Sequence, residues 1–104
     1  MRHVVFLVKK RPDLSQEEFS RFWIDEHTPL TAKVAGVVAY RCYPALPGQP
    51  ESPFEGIAVL SFADDAAYEA AVASEEFAAA LADAPNFQDT AATMSFQAEE
   101  RIIV

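Results

Sequence analysis

Residues 3 to 9, His3-Val4-Val5-Phe6-Leu7-Val8-Lys9, are rich in β-branched and aromatic side chains and carry no helical period. They predict a strand with Val4, Phe6 and Val8 on one face and Val5 and Leu7 on the other. Both faces are apolar, which places this strand at the centre of a sheet covered on both sides. Pro12 and Asp13 break it. Ser15 followed three residues later by Glu18 forms a capping box, in which each side chain satisfies a backbone donor of the other, so a helix starts near Ser15. Phe19, Phe22, Trp23, Glu26/His27 and Leu30 recur at spacings of three and four and form the buried stripe, while Glu17, Arg21 and Asp25 face water. Pro29 has no N–H to give the carbonyl of Asp25, so the helix is expected to kink or restart at His27-Thr28-Pro29, with Thr28 capping a second piece that runs to about Val34.

The chain then turns at Gly36, and Val37 to Tyr43 alternate as a second strand, with Val38, Tyr40 and Cys42 on one face. Residues 44 to 53 hold four prolines and Gly48 and read as a long connection. Phe54 to Phe62 predicts a third strand. Asp64 or Asp65 caps an alanine-rich helix to about Leu81, with a break at Ser74 and a buried stripe of Tyr68, Ala71/Val72, Phe77 and Leu81. After the loop Pro85-Asn86-Phe87-Gln88-Asp89, a fourth strand covers about Ala91 to Gln97, and Arg101 to Val104 form an extended tail. The order β-α-β-β-α-β is the split βαβ of ferredoxin-like α+β folds: a four-stranded antiparallel sheet with two helices on one face. The other face remains too apolar to leave in water, and a second copy of the chain is its economical cover. A homodimer is therefore expected.

The 104 residues fit one domain, 1–104, and 51% hydrophobic with 23% charged residues exclude both a disordered acidic tail and a membrane protein. Sixteen Asp+Glu against eight Lys+Arg leave a net charge of -8, a field that repels phosphate backbones and anionic lipid, so neither nucleic acid nor membrane is expected as a partner. Lys9-Lys10-Arg11 is followed at once by Asp13, Glu17 and Glu18 and reads as a solvated strand end. The single cysteine, Cys42, has no partner for a disulfide or zinc site and reads as a small buried hydrophobe. The opening residues lack the apolar run of a signal peptide, so a cytoplasmic location is expected. Two histidines without metal-binding spacing and three scattered glycines give neither a metal site nor a phosphate loop.

The run Phe19-x-x-Phe22-Trp23-x-x-x-His27-x-Pro29-Leu30, followed by Gly36 and Tyr40, resembles the EthD family of dimeric α+β barrel proteins. So do Phe54-Glu55-Gly56-Ile57-Ala58, Ser74-Glu75-Glu76-Phe77 and Asp83-x-x-Asn86-Phe87-x-Asp89, and the likeness covers nearly the whole chain in order. The resemblance implies a ferredoxin-like monomer whose sheet packs on its twin to make a barrel, with a pocket between each sheet and its helices. Relatives in that family dehydrate or decarboxylate polycyclic polyketides. The wider superfamily holds isomerases, cofactor-free monooxygenases and haem-binding peroxidase relatives, so the likeness specifies the fold better than the reaction.

His27 is the leading candidate for chemistry, because an imidazole exchanges a proton around neutrality and this one sits beside the helix break and the aromatic stripe. Its plainer role is to seal the break by binding freed carbonyls. Tyr40 follows as a hydrogen-bond donor to a developing oxyanion, or else as an aromatic packed under the first helix. Asp89, with Asn86 nearby, is a candidate to orient His27 or bind a polar group of the substrate, or else to cap its own turn. Phe19, Phe22, Trp23 and Phe87 are candidates for a stacking wall, or else plain core. Together these residues suggest a cofactor-independent acid/base enzyme, of isomerase, dehydratase, decarboxylase or monooxygenase oxidoreductase type, acting on a small apolar, aromatic or polyketide-like molecule. A non-catalytic metabolite-binding or accessory protein supporting an oxidoreductase system is the alternative. A haem on His27 is the one cofactor left open, and an absorbance scan for a Soret band tests it.

Overall fold

The computed structural model describes residues 1–104. The β-branched run forms β1 (Arg2–Val8), whose two edges are both paired, antiparallel, with β3 (Gly56–Phe62) and β4 (Met94–Ala98). β2 (Val37–Pro44) pairs with β3, giving the strand order β2-β3-β1-β4 of a ferredoxin-like α+β fold. β1 is thus central, as its two apolar faces require. β3 starts at Gly56 rather than at Phe54 because Glu55 is tied to the end of β1. Its carboxylate accepts from the Lys10 backbone N–H (2.8 Å) and from Lys9 Nζ (3.2 Å). The lysines at this strand end are therefore not simply solvated. β4 starts at Met94 because residues 89 to 93 are spent on a turn, in which the Thr93 N–H donates to the Asp89 carbonyl at 3.0 Å.

The capping box forms as the spacing demands: the Glu18 N–H donates to Ser15 Oγ (3.0 Å) and the Ser15 N–H to Glu18 Oε1 (2.9 Å). It opens α1 (Gln16–Arg21), and the helix does not break off and restart at Pro29. It widens into a π-helical turn, Phe22–His27, and runs on as α2 (Thr28–Ala32). The wider turn lets the Thr28 N–H reach back five residues to the Trp23 carbonyl, and this change of bonding register carries the helix past the proline. Thr28 is not a cap; its hydroxyl donates to the Ile24 carbonyl instead. Gly36, at φ 92°, makes the left-handed turn into β2.

The alanine-rich region is two helices, α3 (Asp65–Val72) and α4 (Glu75–Asp83). Asp64 caps the first, accepting from the Ala67 N–H at 2.8 Å, and Ser74 breaks the run by capping the second, accepting from the Phe77 N–H at 3.2 Å. α4 extends to Asp83, beyond the expected end near Leu81, and a 3₁₀ turn, Ala84–Asn86, follows. Ala71 and Ala80 are buried while Val72 and Leu81 are exposed, so the buried stripe runs one position earlier than the larger side chains suggest. Small residues let the helices approach the sheet more closely than Val or Leu would.

All helices lie on the sheet face that carries Val4 and Val8. One core cluster joins Val4, Val34, Leu60, Phe62 and Ala71, and a second joins Val8, Phe19, Trp23, Ala58 and Phe87. The second depends on Gly56, where a Cβ would stand 2.3 Å from Trp23 Cζ3, so only glycine lets the indole approach β3 this closely. The opposite face places Val5 beside Val59 and Phe96, and Leu7 beside Ile57 and Met94. Phe96, Met94, Ile57 and Tyr43 are exposed there. No helix is long and apolar enough to cross a membrane.

Candidate functional site

Between the sheet and the helices lies a cavity of about 360 Å³, open at one side and lined by 18 residues. Its floor comes from all four strands, including Tyr40 of β2, Leu60 of β3, Phe6 of β1 and Ser95 of β4. Trp23, His27, Thr31 and Phe77 form much of the roof. The space exists because Ala58, Ala80, Ala84 and Ser95, from three separate segments, meet where larger side chains would close it.

His27 ends the π-helical turn, buried against the ring of Phe87 at 4.7 Å between centroids. Its Nδ1 lies 2.8 Å from Asp83 Oδ2, and the other carboxylate oxygen, Oδ1, accepts from Asn86 Nδ2 at 2.9 Å. An ionised carboxylate only accepts hydrogen bonds, so Nδ1 carries the proton and the lone pair of neutral His27 sits on Nε2. Nε2 has only the Thr31 hydroxyl near it, at 3.4 Å. An imidazole held at Nδ1 by a carboxylate is the geometry that acid–base pairs use in hydrolytic triads.

Tyr40 also lines the cavity. Burial pushes its hydroxyl above the ordinary value near 10, and the Cys42 thiol beside it adds to the push. It is a neutral donor throughout the physiological range. Burial raises Cys42 as well, in keeping with an inert thiol.

The structure divides the other expected site residues. Trp23 lines the cavity and stacks on Phe87 at 6.4 Å and 24°. Phe19 and Phe87 are completely buried behind it, and Phe22 stacks on Phe87 from the far side, so these three support the wall without reaching the cavity. Asn86 acts at one remove, through Asp83. Asp89 is not the partner of His27 and does not line the cavity. Its N–H donates to the Lys9 carbonyl at 2.9 Å and its carboxylate accepts from the Ala92 N–H at 3.3 Å, so it builds the turn into β4.

The sequence reading missed Asp83 as an orienting group, and with it Thr31 and Ser95. The i, i+3 spacing of Asp83 and Asn86 was a usable signal, since it lets the two side chains meet at a helix end. No three His, Cys, Asp or Glu side chains converge in a way that could hold a metal ion.

The EthD domain model matches residues 11–91. No curated protein matches the chain significantly. Among solved structures, the chain is similar to an ethyl tert-butyl ether D (EthD) family protein from Bacillus halodurans, with TM-score 0.77 and 22% identity over 97% of this chain and 100% of that one. It is also similar to a dimeric ferredoxin-like protein of unknown function from Thermobifida fusca, with TM-score 0.72 and 14% identity over 95% and 90% of the two chains. A third likeness is to a dabb family protein with a ferredoxin-like fold from Mesorhizobium loti, with TM-score 0.70, 18% identity and 96% of each chain covered. Identities this low speak for the fold, whereas the domain match runs from the end of β1 through the His27–Asp83 pair to the turn before β4. On that match, the chain belongs to the EthD domain family.

Proposed function

We propose that the cavity binds a small, largely apolar, aromatic or polyketide-like molecule and acts on it by acid/base chemistry that needs no cofactor. The observation that supports this most directly is His27, whose Nδ1 is held by Asp83 at 2.8 Å and which lines a cavity of about 360 Å³. That volume is near the lower end of small-molecule sites, which run from about 300 to 1,000 Å³. In this reading Nε2 takes an acidic proton from the substrate, the Asp83 carboxylate balances the imidazolium, and the Tyr40 hydroxyl donates to the oxygen on which charge develops. Trp23 supplies the stacking surface. Isomerisation, dehydration, decarboxylation and oxygenation are the reaction types compatible with such a site.

The same reading includes a homodimer. The open sheet face carries Val5, Leu7, Val59 and Phe96, a second copy covers such a face, and a structural relative is dimeric. Two copies carry a net charge of about -16, twice the -8 of one chain, which disfavours anionic partners.

The test is product analysis on a panel of hydroxylated aromatic and polyketide substrates with wild-type protein and His27→Ala. Turnover by the wild type that is lost in a folded His27→Ala protein supports the mechanism. Equal turnover by both removes His27 from catalysis. Binding without product in either marks a holding or accessory protein in place of an enzyme.

A further inference from the structure

Phe19, Trp23, His27 and Thr31 stand four residues apart, and all four are buried. An unbroken α-helix would not bring them into line. It turns about 100° per residue, so each step of four overshoots a full turn by about 40°, and Thr31 would lie about 120° round from Phe19. The π-helical turn Phe22–His27 takes up roughly one extra residue, which sets the following turn back by about 100°. Thr31 thereby returns to the line of His27, one turn further on, with its hydroxyl 3.4 Å from Nε2. Its other polar neighbour is on β2, where the Tyr40 hydroxyl has the Cys42 thiol, the Thr31 hydroxyl and the Trp23 indole N–H around it. The remaining polar groups of the cavity wall are placed elsewhere. Thr93 is spent on the Lys9 N–H and the Asp89 carbonyl, and Gln88, Thr90 and Ser95 belong to β4 and the segment that leads into it.

The direction of each bond follows from what each group can give. Asp83 only accepts, so His27 Nδ1 carries the proton and Nε2 a lone pair. The Thr31 hydrogen therefore points to Nε2, which leaves the Thr31 oxygen to accept. Of the two acceptors beside the Tyr40 hydroxyl, a thiol sulfur is weak and the Thr31 oxygen strong, so the Tyr40 hydrogen goes to Thr31. The Tyr40 oxygen accepts in turn from the Trp23 N–H. One run of hydrogens thus leads from Trp23 through Tyr40, Thr31 and His27 to Asp83.

We infer that Thr31 is a positioning residue that joins the base His27 to the donor Tyr40, so that the two engage a substrate together. A substrate that offers its proton to Nε2 takes the place of the Thr31 hydrogen there. The Thr31 hydroxyl then turns to donate to the Tyr40 oxygen, and the Tyr40 hydrogen is released to the oxygen on which charge develops. The inference rests on reading His27 and Tyr40 as the acid/base pair of a small-molecule site, and it adds the residue that couples them.

The ¹⁵N resonance of His27 Nε2, recorded on the ligand-free full chain at pH 7.5 and assigned by its absence in His27→Ala, reports the coupling. In Thr31→Val, which keeps the shape and removes the hydroxyl, the resonance moves downfield, toward that of a bare imidazole lone pair. In Thr31→Ser it stays at the wild-type position. Tyr40→Phe also moves it in the wild-type background, because Thr31 loses its donor, and has no effect in Thr31→Val. An unmoved resonance in Thr31→Val overturns the inference, and so does a Tyr40→Phe shift of equal size in both backgrounds. A Thr31→Ser spectrum that matches Thr31→Val assigns the effect to packing and overturns it as well. Where Thr31→Val does not fold, Tyr40→Phe alone decides, since a resonance that it leaves in place breaks the link. These spectra need no ligand, so a lack of turnover in the substrate panel overturns the enzymatic reading without altering them, and the two failures are distinct.

Discussion

Replacing Asp83 by Asn changes one atom group and tests the arrangement behind His27. The carboxylate accepts two donors, His27 Nδ1–H at 2.8 Å on one oxygen and Asn86 Nδ2–H at 2.9 Å on the other. An amide has one accepting oxygen and one donating nitrogen, so it keeps both partners only if the Asn86 amide turns over to accept through Oδ1. Either that happens and the charge-assisted bond to His27 becomes a neutral one, or the amide nitrogen faces His27 and forces the ring to carry its proton on Nε2. Both side chains are largely covered, at 10% exposure for His27 and 18% for Asp83, so water does not make good the loss. A hydrogen bond to a charged group contributes about 1.5–3 kcal/mol, so Asp83→Asn is expected to cost about 2 kcal/mol. For a domain of this size that is a fall in Tm on the order of 10 °C. Thermal melts give the stability, and the ¹³C and ¹⁵N shifts of the imidazole give the tautomer. The double variant Asp83→Asn/Asn86→Asp returns a carboxylate to the network and fixes the orientation at 83, since the amide nitrogen then donates to the new carboxylate while its oxygen accepts from Nδ1–H. It should recover most of the lost stability and the wild-type ring shifts. An unchanged Tm together with unchanged His27 shifts in Asp83→Asn refutes the reasoning.

Gly56→Ala forces a Cβ to within 2.3 and 2.7 Å of the Trp23 ring, and overpacking of this kind costs about 1–3 kcal/mol. A melt followed by the fluorescence of the single tryptophan should show a lower midpoint, and a stabilised variant contradicts the packing described. Tyr40 should be the last of the three tyrosines to ionise in a titration at alkaline pH followed by ultraviolet absorbance, because burial raises it. The folded chain holds that proton more tightly than the unfolded chain does, so the stability linked to Tyr40 is fully present below pH 10 and is lost as the pH rises above it. Tyr40→Phe should flatten that alkaline decline, and an equally steep decline in the variant would point to another group. Phe96→Lys puts a charge on the open sheet face, next to Val5. Sedimentation velocity should show the dimer proposed for the wild type converted to a monomer with unchanged far-UV circular dichroism, whereas a persistent dimer places the interface elsewhere.

Much of this fold was legible in the linear sequence because the governing interactions are local. A β-branched and aromatic run that is apolar on both faces marks β1 as central, Ser15 and Glu18 close a capping box within one turn, and Ser74 interrupts a helix by capping the next. The open apolar face follows from the same run. His27, Tyr40 and Trp23, the candidates that line the cavity, were also legible as inward-facing residues, since the position of each on its element follows from periodicity. The π-helical turn was not, because Pro29 signals a difficulty in the helix without saying whether the chain breaks or widens to pass it.

Nor was the identity of the carboxylate behind His27. Asp83 and Asp89 are close in sequence, and which one reaches the imidazole depends on α4 running on to Asp83 and on the 3₁₀ turn that follows. The cavity depends still less on any single segment. Ala58, Ala80, Ala84 and Ser95 are unremarkable where they stand in the chain, and an empty space exists only because folding sets their short side chains opposite one another. Local periodicity thus determined the elements, the faces they present and most of the chemistry available. Packing between elements far apart in the chain decided which groups meet, because a void and a hydrogen-bonded pair are properties of two surfaces in contact.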